Sequence, residues 1–281
     1  MIVDGAGIAR EIEVEVVAMA RALPAPLRLA IFTCEPPAAA RRFLELKRAA
    51  AERIGVALSV EECAVGSAVE GMARTAAEAA VRADGIIVQL PFPPRIDLAP
   101  ILAALPARYD VDVLGREAGA LFRSGESPIL PPVVGAIAEI VKRYKYEVAG
   151  KQAVVVGEGR LVGIPSAIWL RGQGADVRTV NRKTEGLARE AREADILVLG
   201  AGVPGLITPG MVRDGVVIFD AGASEEGGKL VGDAQSACAD KAALFTPVPG
   251  GIGPITVALI FRNLLTLAKR RIHGRAEPDL L

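Results

Sequence analysis

The sequence predicts an α/β protein of two domains, each built on a parallel sheet. Short apolar, strand-like runs alternate with longer segments whose apolar residues recur every three to four positions, first over residues 1–100 and again after Lys151. A loop-rich stretch from Tyr109 to Pro128 separates the two series. A second irregular stretch, Thr246-Pro-Val-Pro-Gly-Gly-Ile-Gly-Pro-Ile-Thr256, joins the last strand to an apolar helix able to cover the first domain. The expected division is residues 1–128 with 254–281 for one domain and 129–253 for the other.

In the first series, Ile8, Ile12, Val16 and Met19 lie at helical spacing, and Leu27, Leu29 and Ile31 alternate as a strand ending at Thr33. A helix is expected over 37–54, stopped by Gly55, then a strand through Val56, Leu58 and Val60, and a helix from Val69 to Val81. Gly85-Ile-Ile-Val-Gln-Leu90 is nearly all apolar, as suits a strand buried on both faces, and the prolines from Pro91 end it. Pro131 and Pro132 suit the first turn of a helix over 133–144. The second series has strands near 152–156, 175–180, 195–199 and 216–220, with helices between them. The last helix spans about 254–271.

Composition narrows the function classes. Thirty-three basic residues balance thirty-three acidic ones, which argues against a nucleic-acid footprint. No uninterrupted apolar run has the length of a membrane span, and no signal-peptide pattern opens the chain. Cys34, Cys63 and Cys238 are far apart and lack metal-ligand spacing, so no metal is expected. The expectation is a soluble, cytoplasmic protein. The single histidine, His273, is placed in the polar tail beyond the last helix, so proton chemistry falls to Lys, Asp, Glu, Tyr or Cys.

Gly157-Glu-Gly-Arg-Leu-Val-Gly163 follows an apolar strand and precedes a helix. That context makes it a phosphate-binding turn of a Rossmann-like domain, because small residues admit a pyrophosphate to the helix-terminal N–H groups. Gly157, Glu158, Gly159, Arg160 and Gly163 are therefore candidate cofactor residues. At the end of the next strand an acid would select NAD and an arginine would accommodate the 2′-phosphate of NADP. Val180-Asn-Arg-Lys-Thr184 has no acid and offers Arg182, with Arg160 near by, whereas Glu158 repels a phosphate. NADP is favoured over NAD.

In the first domain, Phe43 and Lys47 share a helix face, four residues apart. Gln89 stands near the carboxyl end of a buried strand, where open parallel sheets bind ligands. Asp112, after a proline-bounded loop, suits an aminopyrimidine-like edge. The Thr246–Thr256 stretch holds three prolines and three glycines, more than a simple turn requires, and suits a rigid surface beside a flat ligand.

These residues carry a resemblance. Val3-Asp-Gly5, Lys47, Val88-Gln-Leu-Pro-Phe-Pro93, Asp110-Val-Asp112, Gly157 to Pro165, Asp220-Ala-Gly222, Gly232-Asp233 and Thr246 to Thr256 occur in one order over almost the whole chain. In this the chain resembles the bifunctional methylenetetrahydrofolate dehydrogenase/methenyltetrahydrofolate cyclohydrolase family. The resemblance implies oxidation of a folate-borne methylene group by a nicotinamide cofactor, then hydrolysis of the methenyl product. It implies a catalytic Lys47, a Gln89 that tunes it and an Asp112 that grips the pterin. It further implies that Gly253 and Pro254 face folate, that Ala223 borders the cofactor, and that the protein is a homodimer. The chain departs from the family pattern at Phe43, where tyrosine is usual, at Ala40 for serine, at Leu130-Pro-Pro-Val133, and at Glu158-Gly159 for Arg-Ser. Arg182 stands where a serine helps bind the 2′-phosphate. The rival readings are a monofunctional dehydrogenase, a folate- or nucleotide-binding protein without turnover, and a shikimate-dehydrogenase-like oxidoreductase suggested by Asn181-Arg-Lys-Thr184.

Overall fold

The computed structural model describes residues 1–64 and 66–274. In chain order the first elements are α1 (Gly5–Ala20), β1 (Arg28–Thr33), α2 (Ala38–Ile54), β2 (Ala57–Glu62), α3 (Val69–Arg82), β3 (Gly85–Val88), α4 (Leu98–Ala103) and α5 (Arg116–Ser124). Next come α6 (Pro132–Arg143), β4 (Gln152–Val156), α7 (Gly163–Gly172), β5 (Asp176–Val180), α8 (Leu187–Glu193), β6 (Ile196–Leu199) and β7 (Val217–Asp220). The hairpin strands β8 (Ser224–Glu226) and β9 (Lys229–Val231), then β10 (Leu244–Phe245) and α9 (Ile252–Gly274), complete the described chain. Two compact units emerge: Arg10–Pro132 with the chain from Val257, and Met1–Ala9 with Val133–Thr256.

The first unit holds a parallel sheet in the order β2-β1-β3. Ala30, Phe32 and Cys34 project from one face of β1 into a cluster with Met72, Ala76 and Ala80 of α3 and Ile101 of α4. All four residues of β3 are buried, as its unbroken apolar run requires. Helix α9 packs back on this unit: Asn263 Nδ2 donates to the carbonyls of Val111 at 3.0 Å and Leu130 at 2.9 Å. Gly85 permits the approach, since a Cβ there would lie 2.6 Å from both Leu264 Cδ1 and Val111 Cγ1.

The second unit holds five parallel strands in the order β10-β7-β6-β4-β5. The chain leaves β4 for β5 and returns across it to β6. The carboxyl end of β4 is therefore the topological switch point, where doubly wound sheets open a crevice for ligands. The β8–β9 hairpin turns through Gly227 and Gly228, both at positive φ.

The two-domain parallel architecture matches the sequence expectation, and three local features differ from it. The stretch after Tyr109 is not loop-rich throughout: α5 lies within it, and α4 lies just before. α4 has only six residues and α5 nine, too short for apolar periodicity to stand out. Helix α9 begins at Ile252 and runs to Gly274, so it takes in His273. Pro254 does not delay its start, because first-turn N–H groups have no intrahelical partner to lose. Cys34 and Cys63, one step past the Thr33–Glu62 register pair of β1 and β2, form a disulfide with Cα atoms 5.1 Å apart. The window Ile252–Ile272 of α9 has the length and hydropathy of a membrane span, and 67% of it is buried inside the protein, as befits a core helix.

Candidate active site

In the first unit, α2 presents Phe43 and Lys47 on one face, one turn apart. Phe43 is half-buried, whereas Lys47 is 7% exposed. The Lys47 Nζ donates to Gln89 Oε1. Gln89 is held in turn: its Nε2 donates to the Leu90 carbonyl at 2.9 Å, and its backbone N–H donates to Phe32 O at 2.8 Å, one step beyond the last residue of β3. Both capacities of the amide are used, so its oxygen is fixed towards the lysine.

Asp112 reaches the same place from the loop after β3. That loop is tied to the sheet by Val111 N–H on Ile86 O at 3.3 Å. It is shaped by the buried Asp110, whose carboxylate accepts from Asp112 N–H at 3.3 Å and Gly115 N–H at 2.6 Å. Burial lowers the Lys47 pKa, and the charge of Asp112 opposes that shift. Burial raises the Asp112 pKa, and Lys47 opposes it. Asp110 is pushed up to about 6, by burial first, against the pull of its backbone donors. The result is an amine inclined to lose its proton, held by an amide and faced by a carboxylate. Such a group can accept a proton from water or steer a cationic substrate.

A cleft of about 450 Å³ elsewhere in this unit is lined by Arg108, Glu117, Arg270 and Arg271 and holds none of the predicted site residues.

In the second unit the Gly157–Gly163 turn follows β4 at the switch point. Gly157 has φ 121°, and a Cβ on it would lie 2.4 Å from Gly200 O. A Cβ on Gly163 would lie 2.0 Å from Gly157 O. These glycines let the turn press against the first residue of α7 and the loop after β6. Gly159 is different: a side chain there meets nothing within 4 Å. At the start of α7 the Ile164 N–H donates to Gly159 O at 3.1 Å, the Ser166 N–H donates to Val162 O at 3.0 Å, and Pro165 has none. It is therefore the N–H groups of the turn itself, up to Gly163, beside a side-chain-free surface, that fit a dinucleotide pyrophosphate. Arg160, within the turn, and Arg182, next to the Asn181 whose side chain bonds Glu158, are exposed, and Ala223 is exposed directly after Gly222.

Two buried acids shape the rim. Asp233 accepts from the N–H groups of Ala201 at 2.6 Å, Gly202 at 3.1 Å and Val203 at 2.8 Å, which fixes the loop after β6. Asp220, at the end of β7, accepts from Gly222 at 2.9 Å, Asp233 at 3.2 Å and Ala234 at 2.8 Å. Its own N–H donates to Thr246 Oγ1 at 2.7 Å, which anchors the start of the glycine–proline stretch. The Asp220 pKa is pushed up to about 6 by burial.

Within the first unit the fold gathers Lys47, Gln89 and Asp112, with Phe43 one turn away on the lysine's helix face. Within the second it gathers Gly157, Glu158, Gly159 and Gly163. Gly253 and Pro254 occupy the first turn of α9 and cluster with the second unit. From the sequence alone Asp110, Asp220 and Asp233 stand only as members of motifs, with no role attached. Nor does the sequence attach a role to Asn181, which binds Glu158, or to Thr33, whose buried hydroxyl lacks a partner among the described residues.

Comparison with known proteins bears on both units. Residues 3–112 match the catalytic domain of tetrahydrofolate dehydrogenase/cyclohydrolase, and residues 131–272 match its NAD(P)-binding domain. The bifunctional protein FolD of Exiguobacterium sibiricum is 33% identical over 278 residues, 96% of this chain and 99% of that protein. The crystal structure of the bifunctional FolD enzyme from Campylobacter jejuni is similar with a TM-score of 0.88 at 29% identity, covering 96% of this chain and 99% of that one. The Trypanosoma brucei enzyme, complexed with NADP cofactor and inhibitor, also has a TM-score of 0.88 at 29% identity, covering 97% and 98%. The chain belongs to the tetrahydrofolate dehydrogenase/cyclohydrolase family, and is an enzyme of one-carbon metabolism that acts on 5,10-methylenetetrahydrofolate with a nicotinamide cofactor.

Proposed function

We propose that the chain oxidises 5,10-methylenetetrahydrofolate with NADP and hydrolyses the methenyl product to 10-formyltetrahydrofolate, with Lys47 as the group that handles the proton. The observation that carries this reading is the buried Lys47 amine, desolvated and bonded to Gln89. NADP, when bound, supplies the hydride acceptor; the N–H groups of the turn from Glu158 to Gly163 would hold its pyrophosphate, and Arg160 and Arg182 its 2′-phosphate.

The rest falls to the first unit. A neutral lysine has two N–H bonds and one lone pair. Gln89 takes an N–H, which turns the lone pair away from itself and towards an incoming water. The water adds to the cationic methenyl carbon as its proton passes to Lys47. The C–N5 bond of the adduct then breaks as N5 takes up a proton and the adduct's hydroxyl proton is released, which leaves the formyl group on N10. Asp112 accepts hydrogen bonds from the aminopyrimidine edge of the pterin, and its charge keeps Lys47 from losing its proton too readily. Phe43 stacks on an aromatic ring of the substrate without adding a hydroxyl. Gly253 and Pro254 present a side-chain-poor surface to folate, and Ala223 borders the cofactor.

The domain division follows the same reading: residues 1–128 with 254–281 for folate and 129–253 for the nucleotide. The gap between the two family matches supports the first boundary, and the grouping of the chain from Val257 with the first unit supports the return. A cytoplasmic homodimer completes the proposal. Light scattering checks the dimer, and cell fractionation is the sharper test of compartment because a Cys34–Cys63 disulfide is unusual in a reducing one.

The deciding experiment follows methenyl formation and decay from methylenetetrahydrofolate and NADP. The substitution Lys47→Met should lower cyclohydrolase turnover by at least about a hundredfold. Normal cyclohydrolase turnover in this variant would sink the assignment.

A further inference from the structure

We infer that Glu158, fixed by Asn181, sets the cofactor balance of this enzyme and lets NAD compete with NADP. The inference rests on the reading that the nucleotide binds at the Gly157–Gly163 turn. Strands β4 and β5 are neighbours, with Val156 opposite Val180. Glu158 therefore stands two residues past the end of one strand and Asn181 one residue past the end of the other. Their side chains meet, with Asn181 Nδ2 donating to Glu158 Oε2 at 3.1 Å.

Asn181 has no freedom to turn over. Its Oδ1 accepts from Lys183 N–H at 2.9 Å, so its Nδ2 must face Glu158, and its backbone N–H is engaged with Thr184 Oγ1 at 2.9 Å. The local Asx turn thus pins an exposed carboxylate at a defined point between the first turn and the end of the second strand. In a dinucleotide fold this is the position of the ribose 2′-substituent. An acid there usually comes from the end of the second strand and accepts the 2′-hydroxyl of NAD. Here that strand end carries Arg182 and Lys183, and the acid arrives from the neighbouring turn.

Two opposed preferences therefore meet at one place. Arg182 and Lys183 attract a 2′-phosphate, but both are exposed, so their charge is screened by solvent and salt. Glu158 is exposed as well, yet its charge is held in place. It accepts a hydrogen bond from a 2′-hydroxyl and repels a 2′-phosphate, which bears close to two negative charges near neutrality. A like charge at such short range changes affinity by about tenfold.

The test compares the parent with Glu158→Gln and with Asn181→Leu. Calorimetry measures the affinity for 2′,5′-ADP and for ADP, and steady-state assays give kcat/KM for NADP and NAD. Glu158→Gln keeps the shape and removes the charge, so 2′,5′-ADP should bind about tenfold tighter while ADP changes less than about twofold. The NADP-to-NAD ratio of kcat/KM should rise by a similar factor. Asn181→Leu, which frees Glu158 into solvent, should move both readouts the same way by a smaller factor. An unchanged ratio in Glu158→Gln, within about twofold, overturns the inference. Gly163→Ala separates the two levels: if it leaves both nucleotides binding as in the parent, the nucleotide site is elsewhere, and the inference falls with it.

Discussion

The nucleotide site can be tested by a single methyl group. An ideal Cβ on Gly163 lies 2.0 Å from Gly157 O and 2.6 Å from Gly157 C. Ordinary contact begins at 3.4 Å, so the start of α7 and the turn must separate by about 1.4 Å. The turn has little room to retreat, because Gly157 itself lies against Gly200, whose oxygen is 2.4 Å from where a Gly157 Cβ would be. A shift of that size carries an N–H group from hydrogen-bond distance to beyond reach of a phosphate oxygen. Loss of two charge-assisted bonds at about 1.5 kcal/mol each weakens the cofactor by about 3 kcal/mol, roughly a hundredfold in Kd. Gly172→Ala, at the far end of α7, is the matched control: its Cβ meets nothing within 4 Å and it lies outside the turn, so Kd should stay within about threefold. The assay is fluorescence titration of NADP below the melting transition of both variants, with circular dichroism to verify the fold. If folded Gly163→Ala binds NADP within about threefold of the parent, the pyrophosphate does not sit at this turn.

The first unit yields two further expectations. Asp112→Asn removes the charge that props up the Lys47 pKa, so the lysine should lose its proton at lower pH. The acid limb of the cyclohydrolase kcat profile should then move to lower pH, whereas a limb that stays put would show that Lys47 is not the titrating group. Phe43→Tyr restores a hydroxyl one turn from Lys47. A single added hydrogen bond, worth about 1 kcal/mol, should raise cyclohydrolase kcat about fivefold while leaving dehydrogenase kcat within about twofold. No gain in hydrolysis would disfavour a role for that hydroxyl.

What was legible in the sequence was whatever depends on local pattern. The buried β3 run, the amphipathic α2 and α3, and the glycine turn at the end of β4 each announce themselves within a dozen residues. The same-face relation of Phe43 and Lys47 needs only the helical repeat. The meeting of Lys47 with Gln89, forty-two residues away, needs the pairing of β1 with β3 and the packing of α2, which no spacing specifies. The Cys34–Cys63 bond is hidden for the same reason, since its partners are neighbours only through the register of β1 and β2. Helices α4 and α5 lacked enough turns to display a period. The contact of Asn181 with Glu158 likewise joins the ends of two adjacent strands, and a reader of the sequence sees only an acid in one turn and an amide in another.

The buried aspartates show why perturbed titration and catalysis must be separated. Asp110 and Asp220 are both pushed up to about 6, and raised carboxyls in a functional region invite assignment as general acids. Their oxygens are already occupied by backbone donors, three of them on Asp220. The consequence of the raised pKa is instead thermodynamic. A carboxyl whose folded pKa lies above its unfolded value binds its proton more tightly in the fold, so stability falls as pH rises from about 4 to about 6. Holding such a carboxyl ionised at neutral pH costs the fold about 3 kcal/mol for each group. Removing the Asp220 carboxylate would relieve that penalty but strand three buried N–H groups at about 1–3 kcal/mol each, so the balance favours keeping it. What the penalty secures is geometry. Asp110 shapes the loop that delivers Asp112, Asp233 holds the loop after β6 against the glycine turn, and Asp220 anchors Gly222 and Thr246 together. These acids act on the chemistry by holding the peptide still, and the residues that touch ligand hang from the loops they fix.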